Sequence, residues 1–103
     1  MIPDDDIEKA IDFLRDNAPK IAQAAANRAY MDEYRKVIKS RIMREHEEKP
    51  LGAQEREAYA DPRYEQHLKA MTEAIEKDEY LQWMMTAAET KVSAWQTQSR
   101  LQR

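Results

Sequence analysis

The fold is decided by one long stretch with no helix breaker inside it, residues 62–99: PRYEQHLKAMTEAIEKDEYLQWMMTAAETKVSAWQTQS. Asp61 precedes this stretch as a preferred N-cap residue, and Pro62 stands at the first helical position, where its missing N–H is no loss. Apolar residues then recur at steps of three and four, which predicts one helix from Pro62 to about Ser99. The predicted seam of this helix consists of Leu68, Met71, Ile75, Leu81, Met85, Ala88, Val92 and Trp95.

The N-terminal part of the chain carries a second helical pattern that contains a proline. We predict a short helix at about 4–16, with three aspartates in its first turn, and a long helix at about 19–47. Pro19 cannot donate to a helix ladder and disfavours the helical conformation of Ala18, so we expect a break there, with a kink as the alternative.

A short connection joins the two long helices. Lys49-Pro50-Leu51-Gly52 is typical of a turn with proline at its second position, and a short helix at about 53–60 is expected after it. Two long helices with a short connection become antiparallel neighbours. The predicted fold is therefore all-α, a long antiparallel helical hairpin (about 19–47 and 62–99) with two short helices, in a single domain over 1–103.

The composition excludes several classes of protein. The chain has 103 residues, no cysteine, one glycine and a formal net charge of −3. Disulfide frameworks and zinc–thiolate sites are excluded, and no apolar run approaches the roughly 20 residues that span a bilayer. The acidic start is unlike a signal peptide, so we expect a protein of the cytoplasm that binds no membrane.

No cluster of residues indicates catalysis, so we predict no enzyme, no cofactor and no metal. His46 lacks a second histidine four residues later, and His67 stands alone. A single glycine cannot build a phosphate-binding loop, and nothing in the pattern orders the carboxylates into an acid–base pair.

The strongest candidate for function is an apolar band in the second long helix, between residues 80 and 88. Leu81, Met85 and Ala88 belong to the seam, but other apolar residues point elsewhere. We predict that these form a protein-binding surface for a homodimer or another protein, or that a short helix of the same chain covers them. The predicted protein-binding residues are Tyr80, Trp83, Met84, Ala87 and Trp95.

The other long helix is basic, since residues 19–46 carry seven basic and three acidic side chains. Nucleic acid is the partner that such a segment suggests. Helical spacing scatters the basic residues around the helix, however, and acidic neighbours three or four residues away favour a solvated face. The nucleic-acid candidates are Arg35, Lys36, Lys39, Arg41 and Arg44.

Polar residues near the seam suggest how the register of the hairpin is fixed. The predicted pairing places Asp78 opposite Met31, within a turn of Arg28 and Arg35, so an Arg–Asp pair would set the register. The alternative is that these arginines bind a phosphate or an acidic partner. Asp78 also lies in the six-residue step from Ile75 to Leu81, where we expect the seam to change phase.

Three short pieces of the sequence carry a family resemblance: Tyr34-Arg35-Lys36, the hinge 56–64 (REAYADPRY), and 94–99 (AWQTQS). Over roughly residues 20–100 the chain resembles small helical proteins of tailed bacteriophages and prophages. In that group an arginine usually follows the tryptophan, whereas this chain has Gln96. Such genes often stand in early modules near recombination or nuclease genes.

The resemblance implies a phage accessory protein and supplies no catalytic residues. Our first hypothesis is a non-enzymatic homodimer that assists phage DNA recombination or replication by contacting a phage or host protein. The second is direct DNA binding by the basic helix. The third is inhibition of a host or defence factor, with acidic segments facing a basic target.

Overall fold

The computed structural model describes residues 1–102, and these form three helices: α1 (Asp4–Glu45), α2 (Leu51–Ala60) and α3 (Pro62–Leu101). The described residues contain no strand. The long helices α1 and α3 pack against each other, so the predicted all-α helical hairpin is confirmed. The chain divides into two compact units: Ala25–Lys77 is one, and Met1–Ala24 with the chain from Asp78 onward is the other.

The predicted break at Pro19 is wrong, because Pro19 lies inside one continuous α1. Its missing N–H leaves the carbonyl of Arg15 without its usual helical donor. Pro19 and Arg15 both lie on the exposed face, where water can hydrate that carbonyl. One turn earlier, the Asn17 side chain donates to the carbonyl of Phe13 at 3.0 Å. The separate helices predicted at 4–16 and 19–47 are therefore one helix.

The buried and half-buried positions of α1 explain why the helix continues through the proline. They include an unbroken series at steps of three and four: 7, 10, 14, 17, 21, 24, 28, 31, 35, 38 and 42. A helix that keeps one face against a partner gains packing on both sides of position 19. That packing outweighs the local cost of the proline.

The unit Ala25–Lys77 contains all of α2. Its core consists of Ile42, Ala58 and Tyr64, with exposed fractions of 1%, 0% and 7%. Ile38, Met43 and Leu68 pack around it. The helix α2 begins at Leu51, two residues earlier than predicted, and Gly52 lies inside it instead of in a turn.

The register of the hairpin in this unit differs from the predicted one. The His67 ring donates from Nε2 to the carbonyl of Met31 at 2.6 Å, so Met31 lies against His67 and not opposite Asp78. The difference arises at α2, which packs back against the last turns of α1: Lys39 lies 4.7 Å from the Tyr59 ring centre. Because α2 occupies that end of α1, α3 pairs with an earlier part of it.

The other unit contains two helical segments, the first half of α1 and the second half of α3. Ile7, Ala10, Ile21, Ala24 and Ala88 are buried in it. Polar contacts hold the start of the chain: the backbone N–H of Ile2 donates to Gln98 at 3.0 Å, and Trp95 donates to Asp4 at 3.1 Å.

The expected phase change in α3 is also wrong. Its buried and half-buried positions include 64, 67, 71, 74, 78, 81, 85, 88, 92, 95 and 99, again at alternating steps of three and four. Asp78 is itself buried, with 6% exposed, and His67 and Ala74 are buried where Leu68 and Ile75 were expected. The most apolar side chains are therefore not the ones nearest to α1.

Asp61 fixes the start of α3, as its sequence context predicts. Its carboxylate accepts the backbone N–H of Arg63 at 2.8 Å and the Arg63 guanidinium at 2.9 Å. The same guanidinium reaches Glu45 at the end of α1, at 3.2 Å. The Arg63 side chain lowers the pKa of Asp61 to about 2.

We expect Pro19→Ala to raise the free energy of unfolding by about 1–3 kcal/mol. Alanine restores the donor for the Arg15 carbonyl and relieves the contact of the ring with the preceding turn. Part of this gain is offset because proline restricts the unfolded chain. Urea titration followed by circular dichroism measures the change. The control is Lys20→Ala at the next exposed position, and an unchanged or lower stability of Pro19→Ala would contradict the explanation.

We expect Asp61→Asn to make the Tm depend less on pH under acidic conditions. A lowered carboxylate pKa stabilises the fold above the ordinary value of 3.8, and this contribution is lost as the pH falls through about 2. Asparagine still accepts the Arg63 N–H but carries no charge. The variant should therefore have a lower Tm than the parent at pH 7 and a smaller Tm loss between pH 4 and pH 2. Glu89→Gln, a change at an exposed position of α3, should leave the slope as it is.

Candidate protein-binding face

A second stripe of residues runs along α3 on a side other than the seam. Its members, spaced by three and four residues, are Tyr80, Trp83, Ala87, Thr90 and Ala94, and we name them the outer stripe. All five are exposed; Trp83 has 70% and Tyr80 62% of its surface accessible. An indole this exposed is uncommon unless a partner covers it, since Trp is highly buried on average.

A shallow groove lies beside the outer stripe, between α1 and α3 of the same unit. Met84 and Ala87 form its α3 wall, and Ala10 and Phe13 form its α1 wall. Its volume is about 260 Å³. Asp6, Lys9 and Lys91 line its edges. An apolar floor with charged edges is the usual composition of a protein-binding surface.

Four of the five predicted protein-binding residues therefore lie together. Tyr80, Trp83 and Ala87 belong to the outer stripe, and Met84 lines the groove next to it. Trp95 does not join them, because it is half-buried in the seam with α1 and its indole N–H donates to Asp4. The role of Trp95 is to hold the beginning of the chain.

Sequence reasoning missed part of this face. Thr90 and Ala94 complete the outer stripe, and Phe13 contributes the α1 wall of the groove. The repeated spacing from Tyr80 to Ala94 could have revealed the stripe, but small residues carry little apolar signal. Phe13 could not be found from α3 alone, because it comes from a distant part of the chain.

The predicted nucleic-acid residues are placed on several sides of α1, and four of the five have partners within the chain. Lys36 lies 3.2 Å from Glu33, and Arg35 lies 3.7 Å from Asp32. These are pairs three residues apart on one helix, as expected from the sequence. Each pair cancels much of the charge that a phosphate would meet.

Lys39 and Arg41 face different parts of the unit. The Lys39 ammonium lies 3.8 Å from Glu55, and the Tyr59 hydroxyl raises the pKa of Lys39. The Arg41 guanidinium donates to the hydroxyl of Tyr34 at 3.0 Å. Arg44, the last candidate, is exposed near the end of α1. The five residues therefore do not form one basic surface.

Residues 1–102 hold no group of three or more acidic or histidine side chains arranged to bind a metal ion. Within the same range, no helix has the length and apolar content that crossing a membrane requires. His67 is engaged by the Met31 carbonyl and lies against the Tyr34 ring, with 5.8 Å between ring centres. Its surroundings are those of a packing residue.

The chain matches no protein-family model, and it matches none of the curated proteins or solved structures with which it was compared. The fold and the site define its class by themselves: an all-α helical hairpin with an exposed aromatic stripe on its C-terminal arm. Function therefore has to be argued from that surface.

We expect no complex with a 30-base-pair DNA duplex at 10 μM protein and 50 mM salt. Most phosphate contacts depend on clustered Lys and Arg, and here the basic residues face different sides and four of the five have partners within the chain. A gel-shift titration tests this. A shifted band that disappears at 200 mM salt, and also on Lys36→Glu with Lys39→Glu, would contradict the prediction and favour direct DNA binding.

Proposed function

We propose that this chain is a non-enzymatic protein that acts by protein–protein contact, as a homodimer, through the outer stripe and the neighbouring groove. The observation that carries the proposal is the exposure of Trp83 and Tyr80 on one side of α3. Aromatic residues dominate the binding energy of protein interfaces. Covering one such ring is worth about 2–3 kcal/mol, so four rings in a two-fold dimer supply a substantial driving force.

The biological task that we propose is accessory to phage DNA recombination or replication, through contact with a phage or host protein. Its support is the resemblance of residues 34–36, 56–64 and 94–99 to phage helical proteins. The arrangement of the basic residues supports an action through protein contact over direct contact with DNA, since these side chains pair with Glu33, Asp32 and Glu55.

The charged groups discussed next make structural contacts between helices, and this supports a non-enzymatic role. The strongest electrostatic cluster, Asp61 with Arg63 and Glu45, lies at a helix junction and not in a cavity. Catalysis requires donors or nucleophiles that converge on a space for substrate. The groove beside the outer stripe is lined mainly by apolar residues of α1 and α3.

The third hypothesis, inhibition of a host or defence factor, rests on the acidic first turn of α1. Asp4 in that turn accepts the Trp95 N–H, so it also has a structural use. No contact in the described residues favours this hypothesis over an accessory role, and it stays a prediction from the sequence.

Light scattering tests the dimer. At micromolar concentration we expect a mass of about twice the 12.2 kDa protomer. Trp83→Glu with Met84→Glu should give a monomer with unchanged helix content, because charges then occupy the contact surface. Lys69→Glu, on an exposed part of α3 outside that surface, is the control. A parent chain that stays monomeric up to 100 μM would remove the proposed dimer.

A further inference from the structure

We infer that residues 1–18 form a strap that opens as one unit at Pro19 and uncovers the face of α3 beneath it. The strap belongs to α1 in the closed state, and opening separates it from α3 while the rest of α1 stays folded. Its biological use rests on the proposed function, because the uncovered face adjoins the proposed contact surface.

Pro19 favours a helix that begins at residue 19. Inside α1, the proline ring offers no N–H to the Arg15 carbonyl and crowds the preceding turn, which costs free energy. At the first position of a helix the same residue costs nothing, since an N–H there has no partner in the helix. Opening of the strap converts Pro19 from an interior residue into a first residue. The chain therefore breaks more easily here than at other positions of α1.

The strap packs on α3 through few large side chains. Ile7 and Ala10 are buried, with 5% and 7% of their surfaces exposed. Phe13 and Leu14 are half-buried, and Ile11 leaves 48% of its surface in water. The apolar surface that the strap buries has to offset the loss of conformational entropy of all its residues. The closed state is accordingly favoured by a small margin, as in segments that open locally.

The polar contacts of the strap also hold it weakly. The Ile2 N–H donates to Gln98, and the Trp95 indole donates to Asp4 on the exposed surface. Water can replace such bonds at little cost. The ion pairs of Arg15, at 3.0 and 3.1 Å, are with carboxylates of the strap itself. They stabilise the strap as a helix and do not attach it to α3.

The strap covers an apolar face of α3. The groove between the two helices brings Ala88 against the strap, and Trp95 bonds to Asp4 further along. The covered face therefore runs from Ala88 to Trp95 and includes Val92, which is half-buried. Met84 lines the same groove. When the strap opens, the groove loses one wall and joins this face, so a partner would meet a wider apolar surface.

Hydrogen exchange of the native chain, followed by NMR, tests the opening. Backbone amides of residues 8–18 should exchange with one common opening constant, at least about tenfold larger than that of residues 24–42. The change should fall at Gln23, because the N–H groups of residues 20–22 bond to carbonyls of the strap. Ordinary fraying gives rates that rise gradually toward the chain start. A gradual profile, or strap amides as slow as the others, would overturn the inference.

Variants of the strap shift the opening in known directions. Pro19→Ala should slow exchange of the strap amides by between about fivefold and about a hundredfold, because alanine has no preference for the open state. Ile7→Ala should speed it at least about tenfold, because the closed state loses its most buried large side chain. Glu8→Ala, at the next and exposed position, is the control. Equal effects of Ile7→Ala and Glu8→Ala would contradict the packing described.

A variant in the other unit distinguishes local opening from unfolding of the whole chain. Ile42→Val destabilises the closed and the open state equally, so exchange of the strap amides should stay within about twofold of the parent. Amides that exchange through unfolding of the whole chain should become roughly two- to tenfold faster. Strap amides that become faster by the same factor as these would show that the strap has no opening of its own.

Thiol labelling tests whether the α3 face is uncovered, because the chain has no cysteine of its own. Ala88→Cys should react with iodoacetamide at least about tenfold more slowly than Thr90→Cys, which is exposed in the closed state. Adding Pro19→Ala should slow labelling at position 88 by the same factor as exchange of the strap amides. Labelling at position 88 that Pro19→Ala leaves unchanged would overturn the uncovering of this face.

Failure of the strap and failure of the proposed dimer give different results. A parent chain that is monomeric in light scattering removes the dimer and leaves the strap intact, since exchange reports opening within one chain. A dimer that requires Trp83 but shows gradual exchange keeps the contact surface and overturns the strap. A common opening constant with the Pro19→Ala effect supports the strap in either case.

Discussion

The rest of this structure depends on one constraint, the uninterrupted spacing of three and four residues along both long helices. Within each unit, such spacing turns one face of α1 towards its partners, which are α3 and, near the end of α1, α2. Small residues at several seam positions, including Ala10, Ala24, Ala74 and Ala88, let the backbones approach closely. Continuity of this contact explains why α1 passes through Pro19 and why a buried aspartate is tolerated within the α3 seam. Where the conformational or burial preference of a single residue conflicts with packing in the seam, the packing prevails.

The second constraint is the packing of α2 against the end of α1. Ile42 and Ala58 have almost no exposed surface, so this contact is the best-packed part of the unit that contains it. Because α2 takes up the last turns of α1, the pairing of α1 with α3 begins further back, with Met31 against His67. The packing of the short connecting helix therefore accounts for where the pairing of α1 with α3 begins.

The sequence was sufficient for the helical class and for the start of α3, and insufficient for the extent of α1 and for the pairing of the helices. The start of α3 followed from Asp61-Pro62, because capping is local chemistry. The continuity at Pro19 was not predicted, since tertiary contacts on both sides outweigh the local cost. The seam of α3 was assigned to Leu68 and Ile75 because apolar side chains give the strongest signal. Burial is decided instead by distance from α1, and small or polar residues can occupy the closest positions.

The candidate site was predictable for a related reason. Tyr80 and Trp83 stand out because they are apolar at positions that the seam cannot use. The small residues that follow them carry no such signal, although they give the face its shape. Up to residue 102, the unit with these residues contains two helical segments, and two helices can bury only one side of each other. Any aromatic residue on another side of α3 is therefore covered from outside the chain or remains in water. Water around two large rings is the costlier of these two states, which is the reason for placing the proposed contact on that face.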